Sequence, residues 1–175
     1  MEFIKKNLLA IIVAGAGVLA LILGLVLEPV AELGEAVKFF DLVFGMNETQ
    51  SMAGGSIVAA GGISITGLVS FVALVAGIAL TIVSIFVKDK KLDFIGAICI
   101  AVAGILMLLA LVVGTDLVQT VTGEQLIQMV GTNKMTLTFS ELYEGYKLGI
   151  GSILYGVIAI LGGAFGILNK FKKIV

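Results

Sequence analysis

Covalent and acid–base chemistry need a nucleophile beside a base, and this sequence supplies few candidates for either. Histidine is absent, so the commonest general base near neutral pH is missing. Every basic residue is a lysine, which also removes the planar guanidinium fork used to grip phosphates and carboxylates. Cys99 is the one cysteine, so neither an intrachain disulfide nor a cysteine cluster for zinc or iron can form. Flanked by apolar residues, Cys99 reads as a small apolar side chain rather than a palmitoylation site or reactive thiol. Ser152 and Tyr155 lie in an apolar stretch with no Lys, Asp or Glu to form a catalytic pair, so their expected role is hydrogen bonding within packed helices. No catalytic, cofactor-binding or metal-ligating residue is identified; the reading is not an enzyme, with no cofactor and no nucleic-acid partner.

The elements that hold these few groups are set by solvent. The chain has 175 residues, 59% hydrophobic and 13% charged, and its apolar residues come in runs too long for a small interior to bury. Lipid must cover the excess. Leu8 to Leu27 contains no charged residue and makes about 30 Å of helix at roughly 1.5 Å per residue. A signal peptide would need a shorter core and a small-residue cleavage site, whereas this run ends in Leu27-Glu28-Pro29, so it reads as an uncleaved anchor. Gly67 to Val87, Phe94 to Thr115 and Leu148 to Leu168 are equally free of charge. The expectation is an all-α integral membrane protein, a four-transmembrane-helix bundle forming a single membrane domain over residues 1–175. Its spans are about 8–27, 67–87, 94–115 and 148–168, its outer segments 28–66 and 116–147, and its inner loop 88–93, which turns the middle two spans into an antiparallel pair.

Lysine placement sets the expected orientation, because cytoplasmic flanks are enriched in Lys and Arg. Lys5, Lys6, Lys88, Lys90, Lys91, Lys170, Lys172 and Lys173 fall on one side, and only Lys38, Lys134 and Lys147 on the other. Both termini are therefore expected in the cytoplasm of a cell-membrane, multi-pass protein, with acidic outer segments.

In the first outer segment, Pro29 suits a helix start and Gly45 a helix end. Val30, Leu33, Val37, Phe40 and Phe44 recur at helical spacing, with Glu32, Glu35, Lys38 and Asp41 on other faces, which predicts an amphipathic outer helix. Its polar face is mainly acidic, so it is expected to pack on its own protein rather than on the membrane surface. Ser51 to Thr66, with its glycine pairs Gly54-Gly55 and Gly61-Gly62, fits a loop, an extension of the second helix or a re-entrant segment. Asn47-Glu48-Thr49 matches the glycosylation acceptor pattern, which is common by chance.

The second outer segment is expected to form a small folded cap. Thr122 with Gln125, and Thr138 with Glu141, have the spacing of capping boxes. Met135 to Phe139 alternates like a short strand. Tyr143 and Tyr146 are expected to anchor the fourth span at the headgroups.

Within the spans there is no ionisable group of the kind ion- and proton-coupled transport uses. What recurs is pairs of small residues four apart, and Ala20, Gly24, Ala73, Gly77, Gly145, Gly149, Gly156, Gly162 and Gly166 form a candidate helix-packing interface. It can serve the bundle's own packing or a partner. Four spans with inner ends, a longer first outer loop and a short inner turn resemble the topology of claudins and tetraspanins. Neither the tryptophan and cysteine pair of claudins nor the Cys-Cys-Gly of tetraspanins is present, so the likeness ends at topology and implies no function. The expected function is a non-catalytic interaction or accessory protein acting through its helix faces and acidic outer segments. Its partners would be the lipid bilayer and a membrane protein or further copies of itself. The alternative is a transport component, either an oligomeric pore or a substrate-binding subunit.

Overall fold

The computed structural model describes residues 2–32 and 35–171; Leu33, Lys172 and Lys173, used above, lie outside them. Four helices are long and apolar enough to cross a membrane, with apolar spans Asn7–Val26, Ile65–Val87, Lys90–Leu108 and Ile150–Asn169. They belong to α1 (Glu2–Val26), α3 (Ile65–Val87), α4 (Lys90–Leu108) and α7 (Ile150–Phe171). α3 packs on α4, α4 on α7, α7 on α1, and α1 closes the ring against α3 through its thinnest seam. Leu74, Ile100, Met107 and Tyr155 are fully buried at the centre. Outward-facing Leu19, Val72, Ile105 and Leu161 are exposed, as expected for helices whose outer surface meets hydrocarbon rather than water.

α3 and α4 form the helical hairpin the short linker implied. Lys88 adopts φ 58 to turn the chain, and the Asp89 side chain caps α4 by accepting from the Lys91 N–H at 2.8 Å. This cap starts α4 four residues before the expected Phe94.

At the opposite end the third span stops at Leu108 rather than Thr115, and the reason lies in α3. The Ser64 hydroxyl donates to the Ala110 carbonyl and Thr66 Oγ1 donates to the Leu109 carbonyl at 2.9 Å. The Leu109 and Ala110 N–H groups make tighter, three-residue bonds to Leu106 and Met107. The chain then runs extended beside the start of α3, where Gly114 bridges Ser64 and Ile65 N–H donates to Val113 O. Hydroxyls that would be unsatisfied in lipid thus divert the backbone from helix to strand.

The all-α expectation is corrected by two small antiparallel sheets at this end of the bundle. The first has the order β2-β1-β7 and the second the order β3-β4-β5-β6. The amphipathic outer helix is replaced by β1 (Val30–Glu32), β2 (Glu35–Val37) and only a short helix, α2 (Phe39–Phe44). Val30 and Val37 pair across the hairpin and both are buried. From the other side β7 (Lys147–Leu148) pairs Leu148 with Val30, and Gly149 N–H donates to Pro29 O at 2.8 Å. A strand partner more than a hundred residues away outweighs a local helical periodicity this short.

Ser51 to Thr66 is neither a loop nor a helix extension in the main. β3 (Met46–Met52) and β4 (Gly55–Gly61) make a hairpin of seven consecutive pairs, and Gly54 adopts φ 94 in its two-residue turn. β5 (Leu117–Thr122) pairs with β4, and β6 (Lys134–Leu137) pairs with β5. The alternation seen around Met135 therefore does make a strand as far as Leu137, while Phe139 begins a short helix, and the strand's partner is β5.

Candidate interaction surface

The cap's base comes from the second outer segment folding back on the first. α6 (Phe139–Leu142) begins with a complete capping box. The Thr138 N–H and hydroxyl donate to Glu141 Oε2 at 2.9 and 2.7 Å, and the Glu141 N–H donates back to Thr138 Oγ1. The Thr138 hydroxyl, then its backbone N–H, hold the Glu141 carboxyl below its ordinary value. The other expected box does not form. α5 (Glu124–Val130) has Gly123 at its N-cap without a side-chain bond, because Thr122 Oγ1 is paired with Ser56 Oγ at 2.7 Å across the sheet.

Tyr143, expected at the headgroups, is instead buried inside the cap. Its ring lies 4.7 Å from Phe139, its hydroxyl donates to Gly62 O at 3.3 Å, and burial, with Asp41 and Tyr146 nearby, pushes it up to about 12. Tyr146 is half-buried, its ring centroid 5.7 Å from that of Tyr143. The geometry ties the second segment to the first, since Tyr143 reaches the Gly62 turn that ends β4 and leads into α3.

Above this base the four-stranded sheet carries two unlike faces. Leu117 and Val121 of β5 are buried with Leu126 of α5, which lies against Gly55 at the far end of β4. By alternation and register, the opposite face brings together Thr49 and Ser51 of β3, Ser56 of β4, Thr120 and Thr122 of β5, and Thr136 of β6. These hydroxyls share the face with Asn47, Val58, Ala60 and Val118, and all of the hydroxyl residues except half-buried Ser56 are exposed. Lys134 is the one charge on this face.

The sheet's two edges differ as well. β6 is four residues long and opens with Lys134, two of the devices that keep a strand edge from pairing with another chain. β3 is seven residues long, has no proline, lysine or bulge, and is exposed from Asn47 to Met52.

The small residues of the spans are placed mostly within the bundle. Ala20 is fully buried, and Ala73 packs on the core. A Cβ on Gly24 would meet the rings of Tyr155 and Phe39 at 2.7 and 3.3 Å. One on Gly77 would meet Ile100 and the Gly96 carbonyl at 2.7 and 2.9 Å. Gly156 faces Leu108, Gly162 faces Ala16, and Gly166 lies between Ala97 and Val13. Gly149 abuts the Glu28 carbonyl where the chain leaves β7. Gly145 lies outside any helix, in a turn with φ 89. Gly163 of the glycine-rich fourth span, with Gly96 and Gly104, which were not singled out from sequence, completes the contacts of α4 with α3 and α7.

Between the helices, Ser70 Oγ donates to Ala103 O at 2.6 Å and lies 3.1 Å from Tyr155 Oη. Ser152 is buried, and its hydroxyl has no partner among the described residues. Cys99 is half-buried on α4. Among the described residues no three His, Cys, Asp or Glu side chains gather into a metal-binding group. No family model, curated protein or solved structure matches the chain. The arrangement presents a four-stranded sheet with an exposed edge strand and a face rich in Ser and Thr, at one end of four apolar helices.

The sequence signal for this surface was weak. Gly54-Gly55 is a turn dipeptide and Ile57-Val58 after it are β-branched, but Thr49-Gln50-Ser51 before it is wholly polar, so no alternation marks the hairpin. Its density of glycine and alanine made it look like a loop.

Proposed function

We propose that the protein is a non-catalytic, multi-pass protein of the cell membrane that displays its four-stranded sheet outside the membrane to bind another protein, with both termini in the cytoplasm. The observation that carries this reading is the exposed, unprotected β3 edge beside a hydroxyl face, held on a bundle whose own small residues are already used for packing between its helices. Lys88, Lys90 and Lys91, at the end of the bundle opposite the sheets, support the orientation. The transport alternative has less to stand on, because Leu74, Ile100, Met107 and Tyr155 fill the centre of the single bundle.

Native mass spectrometry of protein extracted from its own membrane in mild detergent tests the interaction reading. A stable complex, with another protein or with further copies, is the expected result; a lone monomer in repeated preparations overturns it. For orientation, Cys99→Ser with Ser51→Cys should react with a membrane-impermeant thiol reagent on intact cells. Lys88→Cys in the same background should react only after permeabilisation, and the reverse pattern refutes the assignment.

A further inference from the structure

Resting on the interaction reading, we propose that the partner at the β3 edge is a second copy of this chain, paired antiparallel to β3 about a two-fold axis through Thr49. An antiparallel pair related by such an axis joins residues whose numbers sum to a constant, and β3 is close to self-complementary about its middle residue. Met46 meets Met52 of the second copy, Asn47 meets Ser51, Glu48 meets Gln50 and Thr49 meets Thr49. Each pair is of like chemistry, apolar with apolar, amide with hydroxyl, carboxylate with amide. The strand's single charge finds an amide donor in place of its own copy. Moving the axis one pair toward the strand's start would set Glu48 against Glu48, and like charges directly opposite are destabilising.

Three further observations agree. The edge is long and unbroken, with seven paired residues and none of the protection that lysine and shortness give to β6. All its residues beyond Met46 are exposed. The pairing also extends the hydroxyl face, since Asn47, Thr49 and Ser51 share it with Ser56 and Thr120, and a rotation about an axis normal to the sheet keeps that face on the same side in both copies. The product is one continuous eight-stranded sheet across two bundles.

Single-cysteine cross-linking tests the register directly, because Cys99 is the only native cysteine. In a Cys99→Ser background in mild detergent, Thr49→Cys should form a disulfide-linked dimer on oxidation. Directly opposed Cα atoms lie about 4.5–5.5 Å apart, within disulfide reach. Ser51→Cys alone should cross-link at least ten-fold less, since its symmetry mate lies four residues away along the strand, roughly 14 Å. Asn47→Cys mixed with Ser51→Cys should cross-link well, and Thr136→Cys on the β6 edge should not. Two substitutions at an exposed position supply opposite signs without disturbing the fold. Gln50→Glu sets two carboxylates against Glu48 in each dimer and should lower the Thr49→Cys yield several-fold, whereas Gln50→Lys should raise it. A monomeric Thr49→Cys protein, equal cross-linking from Thr136→Cys, or no response to either change at Gln50 overturns the proposal. If native mass spectrometry still finds a complex with a different protein, only the self-pairing fails; if it finds no complex, the interaction reading fails with it.

Discussion

Gly77→Ala should loosen the bundle, and the structure fixes both the sign and a control of opposite sign. Gly77 sits where α3 packs closely on α4. A Cβ there would lie 2.7 Å from Ile100 Cγ1, 2.9 Å from the Gly96 carbonyl oxygen and 3.0 Å from the Ile100 nitrogen. Two of those three atoms are backbone, so no side-chain rotation relieves the overlap and the helices must separate by a few tenths of an ångström. Overpacking of this kind costs about 1–3 kcal/mol. Against it stands the gain from replacing a mid-helix glycine, roughly 0.5–1 kcal/mol. The net expectation is a loss of up to about 2.5 kcal/mol. Gly15 lies on the exposed side of α1, and a Cβ there meets nothing within 4 Å. Gly15→Ala should therefore keep only the propensity term and be neutral to stabilising by up to about 1 kcal/mol. Thermal unfolding in one detergent, followed by circular dichroism, compares the two variants with the parent. A Gly77→Ala protein that melts at or above the parent temperature would refute the close α3–α4 contact as a determinant of stability.

Ser64→Ala removes the N-cap of α3, orphaning the Gly67 N–H and the Ala110 carbonyl together; a loss of about 1–3 kcal/mol is expected in the same melting assay. Tyr143 titrates near 12 in the fold against 10 for the free side chain. Its neutral form is favoured by folding, so its contribution is fully present below pH 10 and is lost as pH rises through about 12. Stability measured between pH 9 and 12 should fall more steeply in the parent than in Tyr143→Phe. Thr138→Ala should cost about 1 kcal/mol through loss of the cap. It should also raise the Glu141 pKa towards its ordinary value, a shift readable by carbon-detected titration in labelled protein. Because that pKa is lowered in the fold, the Glu141 contribution is present at neutral pH and disappears as pH falls through it.

The four apolar helices were legible because lipid imposes a one-dimensional requirement. Each span must be long enough, uncharged and hydrogen-bonded within itself, and Leu8 to Leu27 or Gly67 to Val87 meets that condition with no knowledge of its neighbours. The turn at Lys88 and the Thr138–Glu141 box were legible for a similar reason, since their partners lie within three residues. The cap's sheets were not: the β1–β2 and β3–β4 hairpins are local, but the pairings that build them into sheets close over long separations. Val30 is held in its strand by Leu148, Ser56 is joined to β5 through Thr122, and α4 ends early through hydroxyls at the start of α3. The interaction surface depends on this hidden layer. Residues 46 to 52 show their self-complementarity on reading, yet only the pairing of β3 with β4 on one side, and with nothing described on the other, turns that stretch into an exposed edge. Local periodicity decides an element when solvent or lipid alone supplies its partner; once distant backbone supplies it, the decision passes to the fold.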